Sequence, residues 1–207
     1  GGSAVGGRGR RGGWGEGGEA RGTAKTPSPA AARRGETVGP APGHRAEGGR
    51  GLGLRSLHVG GNALREVGGA FDGPLGGAFE RAVDLILGVE GRVIVSGIGK
   101  SGHVGRKLAA TLASTGTHAF FVHPTEASHG DLGMIAPDDV VVALSWSGET
   151  GELADIIGYA RRYRVGLVAI TSNPASTLGR EADICLTLPK AREACPNGLA
   201  PTTSTAM

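Results

Sequence analysis

From about residue 56 the chain alternates between two hydrophobic periods. The stretch GPLGGAFERAVDLIL (73–87) spaces Leu75, Phe79, Val83 and Ile86 three or four residues apart behind Pro74, which predicts a helix opened by proline. RVIVSG is a short apolar run ended by Gly97, the mark of a buried strand, and SGHVGRKLAATLAST follows with Val104, Leu108 and Leu112 on one helical face. HAFFVH, DVVVALSWS, VGLVAITS and DICLTL read as four further strands, with helices predicted over ETGELADIIGYARRY and PASTLGREA. Strands that are apolar on both faces and separated by helices imply a parallel sheet covered on both sides. Right-handed crossovers then give an α/β fold, a three-layer α/β/α sandwich around five parallel strands.

Composition changes the picture at one end only. Residues 1–55 hold 18 of the 40 glycines and ten Arg/Lys against four Glu, a net +6; the rest carries twelve basic and fifteen acidic side chains, a net −3. The basic balance of the whole therefore belongs to the head. With almost no large aliphatic residues, that head cannot offset its ordering entropy by burial, so 1–55 is expected to be disordered and 56–207 to be the folded domain. Its Gly/Arg character and Trp14 are compatible with an RGG-like nucleic-acid tail, but acids are interspersed and aromatics nearly absent. It reads instead as an appended extension without an initiator Met, and no nucleic-acid partner is expected. No run approaches the ~18 apolar residues of a membrane span, and the first twenty residues lack a secretory h-region. Cys185 and Cys195 make no disulfide scaffold. A cytoplasmic protein without a membrane partner is expected.

In such folds ligands sit outside the carboxyl ends of the strands. Here those loops read SGIGKSGH, HPTEASHGDLG, SWSGETGE, TSNPAST and KAREACPNGLAPTTST, gathering hydroxyls, glycines and a few charges at one edge. Gly97-x-Gly99-x-x-Gly102 fits the dinucleotide fingerprint, yet the second strand ends at His123-Pro124 with no acid for a ribose, and Lys100 adds a charge that turn does not need. No nicotinamide or flavin cofactor is expected. In SWSGET, Ser145, Ser147 and Thr150 stand where a helix begins, and three hydroxyls with a glycine exceed what an N-cap requires. A phosphate suits that loop.

Taken together, GIGKSGHVGRKLAATLASTGTHAFFVHPTEASHGDLGMI, LSWSGET and REACPNGLAPTTST closely resemble the sugar-isomerase (SIS) domain of D-arabinose-5-phosphate isomerases. The resemblance covers residues 56–207 and implies a flavodoxin-like fold, a homotetramer and a cytoplasmic, cofactor-free, metal-independent isomerase. Its substrates would be D-ribulose 5-phosphate and D-arabinose 5-phosphate, on the way to the Kdo sugar of lipopolysaccharide. By the same resemblance Ser101, Ser145, Ser147, Thr150 and Thr203 are candidates for the phosphate end of the substrate, and His129 for a pocket residue rather than a metal ligand. Lys100 matches the family's active-site lysine, and Glu152 and Glu193 match its two glutamates, the acid/base candidates. By residue type alone, Lys100 is equally a solvated loop lysine, Glu152 a first-turn acid favoured by the helix dipole, and Glu193 a surface charge.

The chain departs from the family pattern in four ways. Trp146 stands where the family commonly has Asn. The long helix, the SHPGG-like loop with its catalytic His, and the CBS pair that follow in the family are expected to be missing, which leaves the activity of this chain open. The competing expectation is a non-catalytic phosphosugar-binding SIS module; it needs the serine loop but has no use for Lys100, Glu152 and Glu193.

Overall fold

The structure, a computed structural model, describes residues 44–195, 197 and 200–207. Five strands, β1 (Val93–Gly97), β2 (Ala119–Val122), β3 (Val140–Leu144), β4 (Gly166–Thr171) and β5 (Ile184–Thr187), form one sheet in the order β2-β1-β3-β4-β5, every pair parallel. Alternate residues face opposite sides, as the strand period requires. Ile94, Val141, Ala143, Leu167 and Ala169 join one apolar cluster, while Val93, Val95, Val140, Val142 and Val168 join the other. Both faces are covered, so the expected three-layer sandwich is the fold observed.

One face is covered by α1 (His44–Ala70), α2 (Pro74–Leu87) and α3 (Gly99–Ser114). The other is covered by α4 (Pro124–Ser128), α5 (Ala154–Tyr163) and α6 (Thr177–Glu181). On α2 the buried stripe is Leu75, Ala78 and Ala82; Phe79 stays 43% exposed and packs edge-on against Phe71 with ring centroids 5.2 Å apart. Small alanines let the helix lie close to the sheet, so the larger side chain is displaced to the shoulder.

The expected boundary at residue 55 is corrected. Residues 44–55 lie in α1, whose backbone leaves helical geometry at Gly48 (φ 62°, ψ 155°). Eight of its 27 residues are glycine, each costing about 1 kcal/mol of helix propensity relative to Ala. Val67 and Ala70 pack against the cluster that holds the buried stripe of α2, and Ala63 is 2% exposed. The rest of the Gly/Arg-rich head, with Trp14, lies outside the described residues. No helix among the described residues is long and apolar enough to cross a membrane.

At the amino ends of the strands Asp139, 2% exposed, accepts hydrogen bonds from Arg92 N (2.7 Å), Nε (3.2 Å) and Nη2 (2.9 Å) and from Ala136 N (2.8 Å). Burial alone would raise its pKa, but these donors, Arg92 foremost, hold it below the ordinary value. The bond from Val140 N to Arg92 O (2.9 Å) joins the same pair of strand starts, so the β1–β3 register is pinned at the edge remote from the ligand loops.

Candidate active site

The chain leaves β1 towards β2 and enters β3 on the opposite side of β1, so the β1/β3 boundary is the topological switch point of the sheet. A cavity of about 700 Å³ opens there. Its walls are Lys100 and Ser101 at the start of α3, Ser145 and Trp146 just past β3, and Glu193, Ser204 and Thr205 from the C-terminal segment. Lys107, two helical turns after Lys100 on α3, also lines it.

Two glycines of this stretch, Gly102 of the fingerprint and Gly105 beyond it, serve packing. A Cβ on Gly102 would meet Gly97 O at 2.7 Å, and one on Gly105 would meet Phe121 at 3.1 Å and Val95 at 3.2 Å. These glycines let α3 start close against β1 and β2, and that closeness brings Lys100 and Ser101 to the cavity.

The serine loop is held from outside. Trp146 O accepts from Ser172 N (3.0 Å), Ser172 Oγ (2.9 Å) and Thr171 Oγ1 (3.2 Å), and the Glu149 carboxylate accepts from Thr177 N and Oγ1, both at 2.8 Å. Inside the loop, Ser145 Oγ and Thr150 Oγ1 are 2.7 Å apart, Gly148 N donates to Ser145 Oγ, and Glu149 N donates to Ser147 Oγ. A frame of this kind presents hydroxyls with little left to reorganise.

Lys100, Ser101, Ser145 and Glu193 therefore meet at one cavity, whereas five other sequence candidates do not line it. Thr150 reaches it through Ser145, and Ser147 is exposed in the same loop. Glu152 is exposed in a 3-10 turn (Gly151–Leu153) that precedes α5, so the helix expected from Glu149 starts at Ala154. His129 is exposed at the C-terminal end of α4. Thr203 is 1% exposed, its hydroxyl accepting from Ala194 N at 3.2 Å. Its neighbours Ser204 and Thr205 reach the wall instead. The hydroxyl run TTST was the signal for them, but not for which of the four faces inward. No three His, Cys, Asp or Glu residues cluster as a metal site among the described residues.

Glu193 is the most heavily bonded side chain of the cavity. Its Oε2 accepts from Thr202 N (2.7 Å), Thr202 Oγ1 (3.0 Å) and Thr203 N (2.6 Å), and its Oε1 from Ser204 N (3.2 Å). Burial pushes its pKa up, but the donors of Ser204, Thr203 and Thr202 outweigh that and hold it at about 2, against an ordinary 4.5. A depressed folded-state pKa stabilises the fold fully above the unfolded value, and that stability is lost as pH falls through the folded one. The stability difference between the natural chain and Glu193→Gln should thus be constant above about pH 5 and shrink steadily towards about pH 2. Urea unfolding of both proteins at each pH measures it, and a difference independent of pH would show that the carboxylate bonds do not form.

Residues 86–207 match the SIS domain family. Arabinose 5-phosphate isomerase KdsD of Yersinia pestis is 58% identical over 127 residues, and arabinose 5-phosphate isomerase KpsF of Escherichia coli 53% over 131, covering 61% and 63% of this chain. The chain spans about two-fifths of the length of these curated relatives, 39% and 41%. Among solved structures, E. coli CFT073 c3406 in complex with arabinose 5-phosphate superposes with a TM-score of 0.67 at 39% identity, over 75% of this chain and 86% of that one. More than half of the chain matches the family and the fold is shared, so the chain belongs to the SIS domain family.

Proposed function

We propose that this chain carries the sugar-phosphate site of an aldose–ketose isomerase that interconverts D-ribulose 5-phosphate and D-arabinose 5-phosphate. The observation that carries the reading is the cavity at the β1/β3 switch point, with a lysine and serine on one wall and a framed serine loop on the other. The names and identities of the two isomerase relatives, and the solved structure that holds arabinose 5-phosphate, support the same substrate class.

The reaction moves a proton between C1 and C2 through an enediolate, so it needs an acid/base group, a cation or donor for the developing oxyanion, and a grip on the distant phosphate. Ser145, Ser147, Thr150 and Ser101 are proposed for the phosphate, which uses remote binding to orient the reacting carbons. Lys100 is proposed as the oxyanion partner and Glu152 as an acid/base group; His129 is placed at the periphery. A cytoplasmic homotetramer belongs to the same proposal, supported by resemblance alone.

The test is conversion of ribulose 5-phosphate by the 207-residue chain, with binding followed in parallel by Trp146 emission. Saturable conversion is expected. Binding without conversion would favour the non-catalytic phosphosugar module, and neither signal would overturn both readings.

A further inference from the structure

We propose that Glu193 is a positioning residue of this site, an internal anion that holds residues 201–205 as a cavity wall, and that it does not carry the proton between C1 and C2. The inference rests on the sugar-phosphate reading of the cavity. Its basis is the geometry of three consecutive backbone N–H groups, those of Thr202, Thr203 and Ser204, all aimed at one carboxylate. Such a run of N–H groups is an anion-binding concavity, and here the chain supplies its own anion.

The clamp is reciprocal. While Glu193 receives Thr202, Thr203 and Ser204, the next residue's N–H, Ala194 N, donates back to Thr202 Oγ1 (3.0 Å) and Thr203 Oγ1 (3.2 Å). Thr203 O then accepts from Ala206 N (2.9 Å) and Met207 N (3.2 Å), and Thr205 Oγ1 donates to Pro201 O (2.7 Å). One carboxylate thereby sets the path of the segment that brings Pro201, Ser204 and Thr205 to the cavity.

A general base must offer a free lone pair to the substrate's C–H within hydrogen-bond reach, with a pKa near the working pH. Glu193 Oε2 already receives three donors, and Oε1, which receives one, is held towards Ser204 N. Taking a proton would cost the clamp its charge-assisted bonds at the moment the wall is needed. What Glu193 provides is shape: it holds the hydroxyl wall opposite Lys100 and Ser101.

The test uses the 207-residue chain with Trp14→Phe, so that Trp146 is the sole tryptophan. Amide exchange at residues 202, 203 and 204 is read first, without ligand. Glu193→Gln should speed exchange at all three by at least tenfold. Affinity for ribulose 5-phosphate, read by Trp146 emission, should weaken at least tenfold, while kcat at saturation changes by less than that. Thr202→Val keeps the charge but removes one donor, and should shift exchange and affinity in the same direction by a smaller factor. Because it is milder, it also decides the matter if Glu193→Gln fails to fold. Unchanged exchange overturns the clamp. Intact affinity with kcat down about a thousandfold makes Glu193 the proton-transfer group and overturns the positioning role. A Trp14→Phe chain with Glu193 intact whose emission ignores ribulose 5-phosphate overturns the sugar-phosphate reading and the positioning role with it, and the ligand-free exchange tells that failure apart from failure of the clamp.

Discussion

Gly148→Ala is expected to destabilise the folded chain by roughly 2–5 kcal/mol. Two costs combine. Gly148 has φ +69°, a left-handed conformation that costs an L-residue about 1–2 kcal/mol. A Cβ there would also clash with Ser176 Oγ and Cβ and lie 3.0 Å from Thr171 Oγ1, and overpacking of this kind costs about 1–3 kcal/mol. Ser176 cannot simply swing away, because its hydroxyl donates to Asn173 O (2.5 Å) and accepts from Gly179 N (3.1 Å). Gly148 O also receives Leu178 N, so a shift of the glycine propagates into α6. Gly151, in the same loop, has open space around its Cβ position and no positive φ, which makes Gly151→Ala the matched control with a change within about 0.5 kcal/mol. Urea unfolding measures both. Equal stability of the two variants would mean that the serine loop turns by another route.

Lys100→Met should lower turnover of ribulose 5-phosphate by about 10²–10³-fold, the usual cost of removing one donor to a developing oxyanion. Methionine keeps much of the side-chain length and removes the charge, so the change reports electrostatics rather than packing. Affinity for the ground-state sugar phosphate should fall by a smaller factor, since the phosphate end is assigned to the serine loop. The contrast is with Lys107, the other lysine on the cavity wall. Steady-state kinetics of Lys100→Met and Lys107→Met decide the question: a larger kcat loss at Lys107 would move the oxyanion partner two turns along α3, and a loss confined to KM would make Lys100 a phosphate anchor.

The strands were legible because each is a short apolar run, β-branched and buried on both faces in β1 and β3, and RVIVSG and DICLTL are recovered to within a residue or so as β1 and β5. Helix α1 was not, because eight glycines in 27 residues interrupt the helical pattern. In the loop after β2, the turn-like Pro124 and Gly130 concealed α4 and the 3-10 turn Asp131–Met134. For the site, the serine loop pointed to Ser145, but it was the family resemblance that singled out Lys100, Ser101 and Glu193; the fold brings all four to one cavity, and residue type alone left Lys100 and Glu193 as surface charges. The role of Glu193 was not readable, since its partners lie nine to eleven residues ahead and only folding brings their N–H groups onto one carboxylate. The inward turn of Ser204 in place of Thr203 has the same origin.

The Arg92–Asp139 cluster lies at the amino end of the sheet, and the cavity lies at the carboxyl end. The β1–β3 alignment is thus pinned by side chains at the edge remote from the cavity, while the cavity is walled by segments at the other edge. Substrate preference in this fold can therefore drift by loop substitution without reopening the question of how the strands pair. A single scaffold can host successive pockets at one rim because its alignment is settled at the other.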